Sequence, residues 1–151
     1  MHRIALRGVV TIVLAAAMVV LAGCSGPVFR VKVVNEGDFP LTAVRFVPFI
    51  EDDEDAQQDA FDDAVNLLRT DASGATIPVE PGKQVRVPHL VASDMYYVSV
   101  TCFVDGAHVD YVWEDLLALT ELENNALLTM WVRCEYPAGA VEPLFTLHFE
   151  Y

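Results

Sequence analysis

The stretch MYYVSVTCFVDGAHVDYVW, residues 95–113, decides the fold because it contains a complete hairpin pattern. Its first ten residues, Met95–Val104, are rich in β-branched and aromatic side chains and predict a long central strand. Asp105 and Gly106 follow, and Asp-Gly is favoured in two-residue hairpin turns, where both residues need a positive φ. The segment Ala107–Trp113 alternates again and returns alongside the first strand. The stretch therefore predicts two antiparallel strands joined by a tight turn.

Further strand patterns stand on both sides of this hairpin. In Val28–Asn35, apolar residues alternate with Arg30 and Lys32, as in a strand with one buried and one wet face. Similar patterns cover Leu41–Phe49, Thr76–Val79, Lys83–Leu90, Ala126–Tyr136 and Leu144–Tyr151. About seven or eight strands separated by turn signals are typical of an antiparallel sandwich or barrel. We predict a mainly β fold, a small antiparallel β-sandwich.

One segment of the chain has helical rather than strand periodicity. Glu51–Arg69, EDDEDAQQDAFDDAVNLLR, carries apolar side chains at the spacing of an amphipathic helix. Acidic residues crowd its start and Arg69 stands at its end, which suits the helix dipole. We expect this helix, inserted after the second strand, to lie on the sheet.

The N-terminus has the three parts of an export signal. Arg3 and Arg7 form a short basic region, and the apolar run Val9–Ala22 follows it. A membrane-spanning helix needs about 20 apolar residues, so this shorter run favours a cleaved signal over an uncleaved anchor helix. We expect residues 1–23 to be removed.

The end of the signal resembles the lipobox of bacterial lipoproteins. The four residues LAGC, Leu21–Cys24, match its Leu-(Ala/Ser)-(Gly/Ala)-Cys form at the expected place. The resemblance implies cleavage before Cys24, a diacylglyceryl group on its thiol and acylation of its new α-amine. Two or more acyl chains suffice for stable membrane attachment. Ser25 after the cysteine implies sorting to the outer membrane where the host has two membranes.

Cleavage would divide the chain into a signal, residues 1–23, a lipidated tether, residues 24–27, and one domain, residues 28–151. The whole chain has a net charge of −13, and the mature part keeps seven basic against 22 acidic residues, a net charge of −15. Such a charge repels nucleic acid and anionic lipid head groups, so nucleic-acid binding is not expected.

The mature part is also similar to a small β-domain of uncharacterised bacterial secreted proteins. The shared pattern includes a strand ending in Asn35, the Pro81-Gly82 turn, the acidic-Gly hairpin at Asp105 and a following Trp113. It spans roughly residues 31–116, and it departs in the acidic insert and the extra C-terminal strand. The resemblance implies a fold and no catalytic residues.

Two cysteines remain after lipidation. Cys102 and Cys134 each share a strand face with apolar residues, so both thiols should point into the core. In an exported protein, two inward cysteines on separate strands predict a disulfide. The alternative is two separate buried thiols that behave as small hydrophobic side chains.

No pattern in the sequence predicts catalysis, a cofactor or a bound metal. The acidic run within residues 51–63 offers oxygen ligands for calcium but lacks the spacing of an EF-hand loop, so a solvated helix face is favoured. The pairs His108 with Asp110, and His148 with Glu150, supply too few ligands for zinc and fit a wet sheet face.

The aromatic residues separate into core and surface candidates. Tyr111 and Trp113 share a face with Val109 and should pack inside. Trp131 shares its face with polar residues, and together with Arg133 it forms the candidate binding surface.

These patterns predict a membrane-anchored envelope lipoprotein, a non-enzymatic binding or scaffold module whose partner is an envelope protein or a glycan. The alternative is a metal-dependent hydrolase or metal-binding protein (Ca or Zn) using residues 51–63. A third possibility is strand addition, with Leu144–Tyr151 or Val28–Asn35 pairing with another chain.

Overall fold

The computed structural model describes residues 28–91, 95–119 and 126–151, which form two packed sheets and one helix. The signal, Cys24 and the tether lie outside the described residues. In chain order the elements are β1 (Val28–Asn35), β2 (Leu41–Pro48), α1 (Glu54–Asp62), β3 (Gln84–Val91), β4 (Met95–Val104), β5 (Ala107–Val112), β6 (Leu117–Ala118), β7 (Leu127–Glu135) and β8 (Leu144–Glu150).

The predicted β-sandwich is confirmed. The first sheet, sheet A, has the order β3-β1-β7-β8, and the second, sheet B, has the order β2-β4-β5 with the short β6 beside β4. At the predicted hairpin between β4 and β5, Asp105 and Gly106 have φ of 49° and 89°. Both positive angles fit the tight turn that joins two twisted strands.

One strand pair differs from the expected antiparallel arrangement. β1 pairs with β7 in parallel, with Val33 opposite Met130, while every other pair of named strands in the described residues is antiparallel. A hairpin turn forces its two strands to be antiparallel, but β1 and β7 are far apart in the chain, so no turn sets their direction.

This pairing also places β1 in the interior of sheet A, between β3 and β7. The possibility that Val28–Asn35 adds to another chain was therefore wrong, because both of its edges are already paired. β8 does lie at the edge of sheet A.

The core lies between the two sheets and follows the alternation of the strands. Side chains at every second position of the central strands are fully buried, among them Val31, Val33, Val98, Val100, Met130 and Val132. Burying an aliphatic side chain of this size contributes about 1.5–3 kcal/mol, so these positions hold the sheets together.

The helix is shorter than predicted. α1 ends at Asp62, and its start is capped by the Asp53 side chain, which accepts a hydrogen bond from the Ala56 amide. α1 packs on sheet B through Phe61, whose ring lies 5.5 Å from that of Tyr97. Residues Asp63–Arg69, which were predicted to continue the helix, run instead along the edge of β2 that is not paired with β4.

Residues 63–79 cover that edge because they supply the backbone partners that β2 would otherwise lack. The Asn66 side chain accepts from the Val44 amide and donates to the Thr42 carbonyl, and the Leu67 amide donates to the Val44 carbonyl. The predicted strand Thr76–Val79 is reduced to isolated bridges, one of which joins Val79 to Leu41.

Asn35, the last residue of β1, is a buried polar anchor. It is 1% exposed, and its side-chain amide donates to the carbonyls of Phe39 and Val79 at 2.8 and 2.7 Å. Its Oδ1 accepts from the Gly37 amide. Gly37 is needed here because a Cβ at this position would lie 2.6 Å from the Cys134 carbonyl oxygen.

Replacing Asn35 should therefore destabilise the domain. In Asn35→Leu the side chain keeps its approximate volume, but a buried amide and a buried carbonyl lose their partners, so the free energy of unfolding should fall by about 3 kcal/mol. Urea denaturation measures this change. Gln84→Leu, which removes an exposed amide from neighbouring β3, should change the free energy by less than about 0.5 kcal/mol. Equal effects of the two variants would contradict the role of Asn35.

Candidate functional site

The outer face of sheet A carries a shallow groove at the end of β1 and along the middle of β7 and β8. In β7 the even-numbered residues Leu128, Met130 and Val132 point into the core, so the odd-numbered residues point outward. Trp131 stands opposite Val34 of β1 on one side and His148 of β8 on the other. Because side chains alternate along each strand, Trp131 of β7 and His148 of β8 lie side by side on the outer face of sheet A.

The groove has a volume of about 310 Å³ and is lined by Glu36, Trp131, Arg133, Thr146 and His148. The rings of Trp131 and His148 have centroids 5.3 Å apart and are tilted by 35°. Beside them, Arg133 Nη2 lies 3.4 Å from Glu36 Oε2, and both side chains are about half exposed. The ion pair contributes little to stability at this exposure, but it holds a donor and an acceptor at the rim.

This arrangement combines an aromatic face with hydrogen-bonding groups on several sides. Such a combination binds flat or amphipathic ligand surfaces by stacking and fixes their orientation through the polar rim. The structure brings Trp131 and Arg133 together on the outer face, as their alternation indicated, and their role in binding stays a prediction.

Three residues of the groove, Glu36, Thr146 and His148, were not predicted as part of a site. Alternation did place His148 on a wet sheet face, but its position beside Trp131 depends on the register between β7 and β8. Residues 136–143 join the two strands, and a connection of this length leaves the register open where a two-residue hairpin turn would fix it. Glu36 joins the groove only through the parallel pairing of β1 with β7.

The two core cysteines lie together between the sheets. Cys102 belongs to β4 of sheet B and Cys134 to β7 of sheet A, and both are fully buried. Their thiols are hydrogen-bonded to each other and are free in this structure. Burial raises the pKa of both thiols, so neither is a thiolate nucleophile at neutral pH. The inward orientation was predicted correctly, and the disulfide stays a prediction.

The acidic segment shows no converging ligand set. Asp53 is used as the helix cap, and among the residues that the structure describes, no three His, Cys, Asp or Glu side chains are placed to hold a metal ion. His108 Nδ1 is hydrogen-bonded to Thr42 Oγ1, whereas Asp110 accepts from Thr101, so this pair is directed to separate partners.

Tyr111 and Trp113, the two aromatic residues expected inside, are partly buried and pack against the core. Tyr111 stacks on Phe145 with centroids 5.0 Å apart and an interplanar angle of 5°. Trp113 packs on Phe149 at 4.7 Å. These two contacts join β5 of sheet B and the segment that follows it to β8 of sheet A, and close one side of the sandwich.

No protein-family model matches the chain, and comparison with curated proteins and with solved structures finds no match. Within the described ranges, no helix has the length and hydrophobicity of a transmembrane span.

Proposed function

We propose that this protein is an exported lipoprotein, held at the membrane by acyl chains on Cys24 and located at the outer membrane of a host that has two. The lipobox residues Leu21–Cys24 at the end of an apolar signal support this proposal. The position of β1 is consistent with it, since the first strand begins at Val28, four residues after the lipid-bearing cysteine. Little chain then separates the membrane from the domain.

Replacement of Cys24 should abolish the anchor. Cells expressing Cys24→Ala and grown with a labelled fatty acid should yield unlabelled protein, because no other residue of the signal offers a thiol for lipid transfer. Gel autoradiography of the purified protein measures the label. Cys134→Ala, which leaves the signal unchanged, should remain labelled. Incorporation of label into Cys24→Ala would contradict the lipoprotein assignment.

For the anchored domain we propose a non-enzymatic binding role in the envelope, with cell-wall glycan as the ligand. The observation that carries this proposal is the outward face of Trp131 in a groove rimmed by Arg133, Glu36, Thr146 and His148. A sugar ring presents an apolar face that suits stacking on an indole, while its hydroxyl groups suit the polar rim. An envelope protein remains the other partner class that the exposed aromatic fits.

The glycan proposal is tested by sedimentation with purified cell-wall sacculi. Trp131→Ala should weaken the binding of the detergent-solubilised lipoprotein to sacculi about 10-fold or more, as expected when a central aromatic contact is removed. Phe103→Ala is the matched control, because it removes another exposed aromatic residue from sheet B, which does not contribute to the groove. Failure of the wild-type protein to sediment, or equal loss in both variants, would overturn the glycan ligand.

We also propose that Cys102 and Cys134 form a disulfide in the exported protein. Their thiols are already within hydrogen-bonding contact, and the bond would join the two sheets directly. It would close a loop of about 30 residues and contribute about 3–4 kcal/mol by restricting the unfolded chain.

Mass spectrometry of protein purified from the envelope tests this pairing. The protein should be unfolded in denaturant with an alkylating reagent present, because the buried thiols react slowly in the folded state. We expect no alkylation of Cys102 or Cys134 before reduction and alkylation of both after it. The control is the same chain made in a reducing cytoplasm, which should be alkylated at both positions without reduction. Alkylation of both cysteines in the unreduced envelope protein would contradict the disulfide.

The metal-dependent hydrolase alternative receives no support from the described contacts, because Asp53 caps α1 and no three His, Cys, Asp or Glu side chains among the described residues are placed to hold a metal ion.

A further inference from the structure

Positive charge is unevenly distributed over this acidic domain. Seven of the nine basic residues of the chain follow Val28. Five of them lie on strands of sheet A or in the turn before β3: Arg30, Lys32, Lys83, Arg86 and Arg133. Sheet A therefore carries most of the positive charge of a domain whose net charge is strongly negative.

The densest part of this charge lies on the outer face of β1 and β3. Lys32 and Arg86 are direct cross-strand partners, and both point outward because their neighbours Val31, Val33 and Val87 are buried. Arg30 precedes Lys32 by two residues and lies on the same face. We call the outer-face residues Arg30, Lys32 and Arg86 the basic patch.

The pairing of Lys32 with Arg86 is unfavourable for the fold by itself. Like charges that stand directly opposite each other in an antiparallel pair destabilise a sheet. Among the described residues, no ion pair joins a carboxylate to Lys32 or Arg86. An anionic surface outside the domain would relieve this repulsion.

The acidic residues of the insert lie on the other side of the sandwich. α1 packs against Tyr97 of β4 through Phe61, and Tyr97 alternates with the core residues Val98 and Val100, so α1 covers the outer face of sheet B. The two sheets therefore separate the basic patch from the acidic helix. On the outer face of sheet A, the carboxylates Glu135 and Glu150 belong to β7 and β8, whereas the basic patch lies on β1 and β3.

The position of the patch along the chain connects it to the proposed anchor. Three residues, Ser25, Gly26 and Pro27, separate Cys24 from Val28 at the start of β1, and this distance is at most about 14 Å when the chain is extended. Arg30 and Lys32 follow within the first five residues of that strand. The patch therefore begins within reach of the membrane surface, where head-group charge acts over a Debye length of about 8 Å.

We propose that the basic patch docks on the anionic lipid head groups of the membrane that holds Cys24, with α1 turned away from it. This inference rests on the proposed lipid anchor. The anionic head groups attract the basic patch and repel α1, and both forces turn sheet A toward the membrane. The net negative charge of the domain by itself would predict only repulsion. Trp131 of the groove stands opposite Val34, two residues further from the tether than Lys32, so docking leaves the groove at the border of the head-group layer.

The chain offers a direct test because Lys32 and Lys83 are its two lysines. Lys32 belongs to the patch, and Lys83 lies in the exposed turn before β3, at the opposite end of β1 from the tether. The lipidated protein is reconstituted in phosphatidylglycerol or phosphatidylcholine vesicles and acetylated with a water-soluble active ester. Peptide mass spectrometry gives the ratio of modification at Lys32 to that at Lys83.

In phosphatidylglycerol vesicles the ratio should be at least fivefold lower than in phosphatidylcholine vesicles, since each basic residue near an anionic surface contributes about a fivefold factor in population. About 0.5 M salt should restore the ratio by screening the attraction. Arg86→Glu should restore it without salt, whereas Arg69→Glu, a charge reversal after α1 and outside the patch, should leave the protection intact.

Equal ratios in the two vesicles, or protection that Arg86→Glu does not remove, would overturn the docking. Duplex DNA added to phosphatidylcholine vesicles could also protect Lys32 as strongly as phosphatidylglycerol does. That result would show a general site for polyanions and would overturn docking on lipid head groups. The mass of the Cys24 peptide separates this failure from failure of the proposed function. Unacylated Cys24 overturns the anchor and the docking together, whereas acylated Cys24 with equal ratios overturns the docking alone.

Discussion

The buried side chain of Asn35 connects the three parts of the chain that must meet where the two sheets join. Through Gly37 and Phe39 it fixes the turn that carries the chain from β1 of sheet A to β2 of sheet B. Through the Val79 carbonyl it also holds the segment that bridges to Leu41 at the start of β2. A buried amide in water-excluded surroundings is stable only when all its partners are present, so these three segments are ordered together or not at all.

The parallel pairing of β1 with β7 determines how the rest of the sandwich assembles. β1 occupies the middle of sheet A, but its partner β7 comes almost a hundred residues later in the chain. The local hairpin of β4 and β5 can form early, whereas sheet A closes only after most of the chain is available. Contacts of such long sequence separation slow folding, because the entropy of closing the loop is lost before the contact forms.

Features with a local cause could be predicted from the sequence. The Asp105 and Gly106 turn follows from backbone preferences, and the inward faces of β1, β4 and β7 follow from alternation. The β1–β7 pairing could not be predicted, because alternation assigns faces and not neighbours. The end of α1 was predicted wrongly for a related reason. Asn66 is held by hydrogen bonds to β2, and helical periodicity carries no information about partners so far away in the sequence.

The candidate groove shows the same division. Trp131 and Arg133 could be assigned to an outer face from one strand alone, whereas His148 and Glu36 reach them only through two strand registers that long connections leave open. For a site built from several strands, the sequence therefore predicts which residues of each strand face outward. It does not predict which of these residues meet, because that depends on the order and register of the strands.

The covered edge of β2 has a consequence for how copies of this protein meet. An open strand edge offers unpaired amides and carbonyls on which a neighbouring molecule can polymerise. In this chain Asn66, Leu67 and Val79 bind the edge backbone groups of Leu41, Thr42 and Val44, so these groups are not open to a second copy. The loop that follows α1 thus blocks strand-to-strand self-association at this part of the edge.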